Sequence, residues 1–329
     1  MPPQPSATTT ASQPSGQARY YTSQQAAAAI TAVIVAAEFA ILTAMASMTA
    51  AVLAGSLLAG LAQRRFRAVA LAIVTQADRQ VAALIAQASA TARTDVERII
   101  AADLGPLARL LPLIPSASMP RLSQDLRGAL QTAANQAGAE FRAVLADPAK
   151  AQELLDELAS SGLTGKTGRD GRHWNLSSYA EMAARTAAER LHLELQVRAL
   201  TEAGQDLVYV ARDSSQPPCP KCAPWVFRVL SLTGMSLGMP DVAGTLAQAR
   251  AGGLLHPQCR DSITPYTGQM RPAGPHSPQW LGAQQRRYAA EQAASARAHA
   301  VRIAQRQHAV ALTPLALAGA RRLIRHLAP

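Results

Sequence analysis

The sequence predicts an α+β protein with a long helical N-terminal half, a small mixed module after it, and basic helices at the C-terminal end. Three observations support this fold class. Hydrophobic residues form 49% of the chain but aromatic residues only 4%, and an alanine-rich apolar composition favours closely packed helices over a sheet-rich core. Near Ser160 the composition changes to glycine and serine. From Arg286 to the last residue, eight arginines accompany a single acidic residue, Glu291.

The first residues have the composition of a flexible arm. Residues 1–25 are rich in Pro, Ser, Thr and Gln and contain one charged residue, Arg19. Such a segment cannot bury enough apolar surface to offset the entropy lost when it is ordered. We therefore expect a disordered arm over residues 1–25 and a helical region over residues 26–159.

The helical region contains an apolar helix. Residues 39–62 include no charged side chain, and this run is long enough to span a membrane. Ala, Thr, Ser and Gly fill most of it, however, and these residues are only weakly membrane-seeking but let helices pack closely. A helix packed inside the protein is therefore favoured, and membrane contact through residues 39–62 stays as the alternative. Further helices are predicted over 68–100, 123–145 and 148–158 from the spacing of apolar residues.

A second module is predicted over residues 160–282. It starts with the glycine-rich stretch 160–171, which predicts a loop and a domain boundary. Within this stretch, Gly165-Lys166-Thr167 matches only the end of a phosphate-binding loop. Ser160 occupies the place of the first glycine and no apolar strand precedes it, so a nucleotide site is not expected.

The rest of this module mixes helix and strand. Ser178 and Glu181 have the spacing of a capping box, which predicts a helix over 178–202. The apolar runs 207–210 and 226–232 predict two short strands.

The most specific chemical signal is a pair of short motifs, Cys219-Pro-Lys-Cys222 and His256-Pro-Gln-Cys259. Zinc takes four nitrogen or sulfur ligands in a tetrahedron, and a two-residue gap lets one tight turn present two of them. All three cysteines of the chain belong to these motifs. We therefore predict a structural zinc site formed by Cys219, Cys222, His256 and Cys259. A redox Cys-x-x-Cys pair and buried thiols without a metal remain the alternatives.

Charge is concentrated at the C-terminal end. The chain has a formal net charge of +11, and basic helices are predicted over residues 283–329, in two parts separated at Pro314. The first part presents five arginines, Arg286, Arg287, Arg297, Arg302 and Arg306. A run of this kind is either a solvated face or a contact surface for a phosphate backbone or an acidic protein.

The order of motifs resembles that of a known family. The residues that carry the resemblance are Trp174, Tyr179, Met182, Arg185 and Thr186, then Cys219-Pro-Lys-Cys222 with Pro224-Trp225, then Gly253-Leu254-Leu255-His256-Pro257-Gln258-Cys259-Arg260 and Pro265-Tyr266. Together they resemble the phage minor capsid protein 2 family, which is related to the Mu-type F head-morphogenesis proteins. Two places differ from the family pattern: Val226-Phe227 stands where a glycine is common soon after the tryptophan, and Asp261 stands where a histidine would offer a further ligand.

The resemblance implies a structural, non-enzymatic head protein of a tailed bacteriophage or prophage. It would reside in the virion capsid, after assembly in the host cytoplasm, and would associate with the portal protein, other capsid subunits and the packaged DNA. Two alternatives remain open. One is a metal-dependent hydrolase, either a nuclease or a capsid-maturation protease, and the other is a membrane-inserted ejection protein that uses residues 39–62.

Overall fold

The computed structural model describes residues 15–104, 117–168, 171, 173–212, 217–257, 259–268 and 270–327, with the backbone alone for 15–23 and 99–104. The chain forms two compact units. The helical unit contains Gln24–Thr91, Pro115–Leu191 and Arg286–Pro329, and the cysteine unit contains His192–Gln285 together with the described parts of Met1–Ser23 and Ala92–Ile114. The segments of the two units alternate along the chain. The four consecutive domains expected from composition therefore stay a prediction.

Long helices form most of the chain, as the sequence predicts. The N-terminal helices are α1 (Ser15–Leu53), α2 (Ala59–Leu104), α3 (Ser118–Ala146) and α4 (Ala151–Ser161), and a short 3-10 turn over Pro148–Lys150 precedes α4. The C-terminal helices are α7 (Pro278–Ala309) and α8 (Pro314–Leu327). Helix α1 begins within the segment expected to be a flexible arm, whose residues 1–14 lie outside the described part of the chain.

The core of the helical unit consists of alanine and large aliphatic side chains. Helices α2 and α3 run antiparallel, because the rings of Phe66 and Phe141 lie 4.5 Å apart while Asp78 pairs with Arg127 at 3.0 Å. Small alanines let the helices approach, and the larger side chains fill the space between them. The core includes Ile30, Ile34, Ile41, Leu42, Met45, Leu126, Leu130 and Leu155.

The apolar run 39–62 is not one helix, contrary to the sequence prediction. Helix α1 ends at Leu53 and α2 begins at Ala59. Gly55 has a φ of 71°, its amide donates to Val52 and the next amide, of Ser56, donates to Ala51. These two bonds form a Schellman motif, which ends a helix at a glycine in the left-handed region. The absence of charge predicts burial or lipid contact and carries no information about this stop.

The glycine-rich stretch also differs from the prediction. Instead of a simple loop, it contains strand β1 (Thr164–Thr167), which pairs antiparallel with β2 (His173–Asn175). Helix α5 (Leu176–Glu202) then starts two residues before the predicted Ser178. The Asn175 side chain accepts the Ser178 amide at 2.8 Å and thus caps the helix, so the predicted capping box is wrong.

The cysteine unit is built around a four-stranded sheet. Its strands are β3 (Leu207–Ala211), β4 (Val229–Ser231), β5 (Val242–Thr245) and β6 (Ser262–Pro265), in the spatial order β5-β4-β3-β6. Strand β3 pairs antiparallel with β4 and β6, and β4 pairs parallel with β5. Thr245 and Gln248 form a reciprocal capping box at the start of the short helix α6 (Leu246–Ala251). The two strands predicted from sequence correspond to β3 and β4.

One arginine of the basic C-terminal segment is buried in the helical unit. Arg306 is 1% exposed, its Nε donates to the Ala159 carbonyl at 2.7 Å, and its guanidinium lies 3.6 Å from the carboxylate of Glu38. The same carboxylate accepts the Leu163 amide at 3.0 Å. The prediction that Arg306 contacts nucleic acid or a partner is therefore wrong, because this side chain joins α7 to α1 and to the end of α4.

Candidate metal centre

The first half of the centre is a tight turn between β3 and β4. The amides of Cys222 and Ala223 both donate to the Cys219 carbonyl, at 3.1 and 2.9 Å. This turn places the two cysteine side chains on the same side, as a two-residue gap requires. Cys222 is buried in the apolar core of the unit, beside Val226, Leu230 and Leu254, and Cys219 packs at the edge of that core.

The second half follows helix α6. The amides of Gly253 and Leu254 bond to Arg250 and Ala249, a second Schellman motif with Gly253 at a φ of 101°. A Cβ atom at Gly253 would lie 3.0 Å from Cβ of Lys221 in the cysteine turn. A glycine is therefore needed here both for the backbone angle and for the close approach of the two halves. Leu255, also in the left-handed region at a φ of 58°, then leads directly into His256.

The structure brings all four predicted ligands together. The Cys219 Sγ lies 3.0 Å from Nε2 of His256, and the Cys222 Sγ lies 3.5 Å from Sγ of Cys259. The donor atoms of Cys219, Cys222 and His256 all lie within 4.8 Å of one another. Ligands around a tetrahedral zinc ion are about 3.5–3.8 Å apart, given Zn–S and Zn–N bonds of about 2.3 and 2.0 Å. The cluster therefore has the donors to hold a metal ion, and a further separation of Cys219 and His256 by about 0.5 Å would bring it to this size.

Hydrogen bonds prepare His256 and Cys259 for this role. The Nδ1 atom of His256 lies 2.7 Å from the Pro257 carbonyl, a contact that directs Nε2 toward the cysteines when Nδ1 carries the proton. The Cys259 amide donates to the His256 carbonyl at 2.9 Å and closes the second turn. The Asp261 amide lies 3.4 Å from the Cys259 sulfur and stabilises a thiolate there.

The thiols and the imidazole of the cluster shift one another's pKa values. A hydrogen bond with the Cys222 thiol, reinforced by His256, lowers the pKa of the Cys219 thiol to about 4 despite its burial. Contacts with Cys219 and Cys259, together with burial, raise the pKa of the Cys222 thiol. The neighbouring Cys219 raises the pKa of His256. Because zinc takes thiolates and a neutral imidazole, metal binding here releases protons.

Asp261 is a member of the site that the sequence analysis missed. Its Oδ2 lies 3.3 Å from the Cys259 sulfur, and it forms a close group with Cys222 and Cys259. Its Oδ1 pairs with Arg212, which also donates to the Pro217 carbonyl just before the cysteine turn. Both charged side chains are buried, at 0% and 4% exposure. The pair therefore connects the chain entering the first half of the site to the chain leaving the second.

The remaining residues of the family-like motif divide between the two units. In the helical unit, Tyr179 is buried and its hydroxyl accepts a hydrogen bond from Lys166 at 3.1 Å, and Arg185 pairs with Glu181 at 3.3 Å. Half-buried Trp174 lies in β2 and Thr186 in α5. In the cysteine unit, the indole of Trp225 covers the end of α6, since a Cβ atom at Gly252 would lie 3.2 Å from it.

The predicted contact arginines of α7 differ in exposure. Arg286, Arg287 and Arg297 are exposed, whereas Arg302 is half-buried with its guanidinium 3.9 Å from Glu181. With Arg306 buried, three of the five predicted arginines remain on the surface. Their role as contacts for nucleic acid or an acidic partner stays a prediction.

Comparison with known proteins gives one match. The family model described as phage minor capsid protein 2 matches residues 63–327, a span that includes every residue of the candidate metal centre. No curated protein and no solved structure matches the chain.

Proposed function

This chain belongs to the phage minor capsid protein 2 family, and we propose that it is a structural head protein of a tailed bacteriophage or prophage in which a zinc ion holds the cysteine unit together. A structural role in the phage head and a place in the virion among other capsid components follow from the family. Zinc as the metal, the portal as a partner and assembly in the host cytoplasm are the finer parts of the proposal.

The set of four protein ligands supports a structural role for the metal. Three sulfur atoms and one imidazole nitrogen come from two facing turns, and sulfur with nitrogen in a four-ligand site favours zinc over hard cations such as Mg²⁺. Four protein ligands complete a tetrahedron and leave no coordination position for a water molecule or substrate. A metal bound in this way would supply folding energy to the unit rather than catalysis.

The exposed arginines of α7 favour binding to an acidic partner. Arg286, Arg287 and Arg297 are exposed, and clustered exposed arginines attract phosphate backbones and acidic protein surfaces. In a phage head, the phosphate backbone of packaged DNA has this chemistry. We propose that the exposed arginines of α7, and not the buried Arg306, provide this contact.

Complementation tests the proposed function. A phage that carries this gene but lacks its product would be supplied with the wild-type protein, with Cys222→Ser, or with Met235→Ser as the matched control on the exposed surface of the same unit. We expect wild type and the control to restore infectious particles and to be found in purified virions. Cys222→Ser should restore neither. Normal particle assembly and infectivity without the protein would overturn the proposal.

A second experiment tests portal association and the identity of the metal separately. Purified virions can be dissociated in steps and the fragment that retains the protein identified by cross-linking to the portal. Recovery with other capsid subunits, but never with the portal, would contradict portal association while leaving the structural role intact. Zinc measured in the purified protein by elemental analysis tests the metal independently of assembly.

A further inference from the structure

The connection between α1 and α2 is an apolar segment that the protein does not bury. Residues 50–61, with the sequence AAVLAGSLLAGL, contain no charged side chain, and not one of them is buried. Leu53 is 48% exposed and Leu58 is 79% exposed. We refer to residues 50–61 as the apolar tip. A soluble surface scatters single apolar residues, but a continuous exposed apolar segment indicates an interaction surface.

The flanking residues are fixed within the helical unit. Thr49 and Ala62, one on each side of the tip, are both fully buried. Farther back in α1, Glu38 is tied to Arg306, and in α2 the ring of Phe66 stacks against Phe141. A membrane span through α1 would have to extract the buried Glu38 from this pairing. The tip is therefore the part of the apolar run that is available to an external partner.

The backbone amides that follow the end of α1 have acceptors within the turn. The amides of Gly55, Ser56 and Leu57 bond to carbonyls of the last turn of α1, and the Ser56 hydroxyl donates to the Ala51 carbonyl at 2.9 Å. Ser56 is the only polar side chain in the tip. These internal hydrogen bonds lower the cost of bringing the end of α1 toward a hydrocarbon layer.

Basic side chains follow the tip at a defined distance. Arg64, Arg65 and Arg67 are all exposed on the first turns of α2. At 1.5 Å per residue, Arg64 lies about 9 Å along the helix from Leu58. Amphipathic elements at membrane surfaces bury their apolar side by about 5–10 Å and keep basic residues at the headgroups. The N-terminal amides of α2 also lie in the tip, and a helix N-terminus favours anions.

We propose that the apolar tip inserts shallowly into an anionic lipid bilayer, with Arg64, Arg65 and Arg67 at the phosphate headgroups. Leu53 and Leu58 enter the boundary between headgroups and acyl chains, and the rest of α1 and α2 stays packed in the protein. This contact is a peripheral one and differs from a span over residues 39–62. It is independent of the proposed role in the head and of the metal.

Vesicle binding of the full-length, zinc-loaded protein tests the proposal. Flotation would compare vesicles of phosphatidylcholine alone with vesicles that also contain phosphatidylglycerol. We expect binding to the anionic vesicles, reduced by about tenfold or more in Leu58→Asp, because a carboxylate enters the anionic interface. Leu315→Asp is the matched control, since Leu315 on α8 is 78% exposed and lies outside the tip. Equal loss in the two variants, or no binding by wild type, would overturn the proposal.

A charge variant separates lipid from other polyanions. Replacing Arg64, Arg65 and Arg67 with Gln should weaken binding to anionic vesicles on the order of 100-fold, at about fivefold for each charge near the surface. The control triple replaces Arg321, Arg322 and Arg325, exposed arginines of α8. If the first triple variant loses binding while Leu58→Asp does not, the arginines bind a polyanion without lipid insertion, and the proposal is wrong. Circular dichroism checks that each variant retains its helices.

Discussion

The helical unit and the cysteine unit are stabilised in different ways. The helical unit buries long aliphatic stripes, such as Ile30, Ile34 and Ile41 along α1, and its polar interior includes the Glu38–Arg306 pair. The cysteine unit has strands of three to five residues, and two of its core positions are occupied by the predicted ligands Cys222 and Cys259. A small core of this kind supplies little folding energy from apolar burial alone.

This difference predicts which substitutions destabilise each unit. In the helical unit, many apolar contacts share the stabilisation, so that single changes on the surface have small effects. In the cysteine unit, the sheet and the two turns converge on four side chains, and a metal bound there would replace the missing apolar area. Substitutions at matched positions in the two units should therefore produce very different losses.

The largest effect is expected from Cys222→Ser. Loss of one thiolate should abolish stoichiometric metal binding and remove folding free energy on the order of 10 kcal/mol from the cysteine unit. Hydrogen exchange should show lost protection for Val208, Leu230 and Ile263 in the sheet, while Leu126 and Phe141 in α3 keep theirs. Elemental analysis of the same samples gives the metal content.

Met235→Ser is the control for this substitution, because Met235 lies in the same unit and is 82% exposed. It should keep both the metal and the exchange protection of wild type. A Cys222→Ser protein that is free of metal and still fully protected in its sheet would show that apolar burial suffices, and the contrast between the units would disappear.

The second effect concerns the buried ion pair of the helical unit. Arg306→Met should cost about 3–5 kcal/mol, because it leaves the Glu38 carboxylate buried without its cation. The double variant Glu38→Leu, Arg306→Met should recover much of that loss, although the Leu163 amide loses its acceptor. Urea unfolding followed by helix content measures all three proteins. Arg297→Met, at an exposed position on the same helix, is the control, and an equal cost in both single variants would contradict the argument.

The same comparison explains what could be predicted from sequence. The cysteine and histidine cluster was predicted because residue type and a two-residue gap are local properties of the chain. Asp261 was not, since its importance depends on Arg212, a residue 49 positions earlier that folding brings beside it. Arg306 looked like its neighbours in a basic run, and only the packing of α7 against Glu38 distinguishes it.

Some backbone features could likewise be predicted from the sequence, and others could not. The helical character of the N-terminal half and the strands β3 and β4 follow from composition and apolar runs. The end of α1 near Gly55 and the strand β1 were not predicted. A glycine indicates that the backbone is free to adopt many conformations, but it does not indicate which conformation the chain adopts. The structure shows Gly55 at the end of α1 with a φ of 71°.

A third, smaller effect tests the residue that sequence reasoning missed. Asp261→Asn keeps the shape of the side chain but removes the charge that pairs with Arg212. We expect about tenfold weaker affinity for zinc with unchanged stoichiometry, at the low end of the effect usual for groups that orient metal ligands, because removing the carboxylate charge also relieves its repulsion of the neighbouring thiolates. Competition with a chromophoric chelator measures it. Asp241→Asn, at an exposed carboxylate of the same unit, should bind zinc as wild type does, and an equal affinity in both variants would show that the Arg212–Asp261 pair does not support the site.

The smallest effect is a pH dependence within the cysteine unit. Partial burial of Asp206 would raise its pKa, but hydrogen bonds from Ser231, Ser236 and Thr233 outweigh burial and lower the pKa well below its usual range. A carboxylate with a lowered pKa stabilises the folded protein above the unfolded value of about 3.9, and this contribution is lost as the pH falls toward the lower folded value.

Because Asp206 is close to solvent, screening should keep its contribution below about 1 kcal/mol. NMR of the Asp206 carboxyl carbon should show that this group remains ionised at pH 3.5, below the value of about 3.9 for an unperturbed aspartate. Ser231→Ala removes one donor, at 2.6 Å, and should move the titration of Asp206 upward. A titration of Asp206 at the unperturbed value of about 3.9 would show that these hydrogen bonds do not favour the charged form.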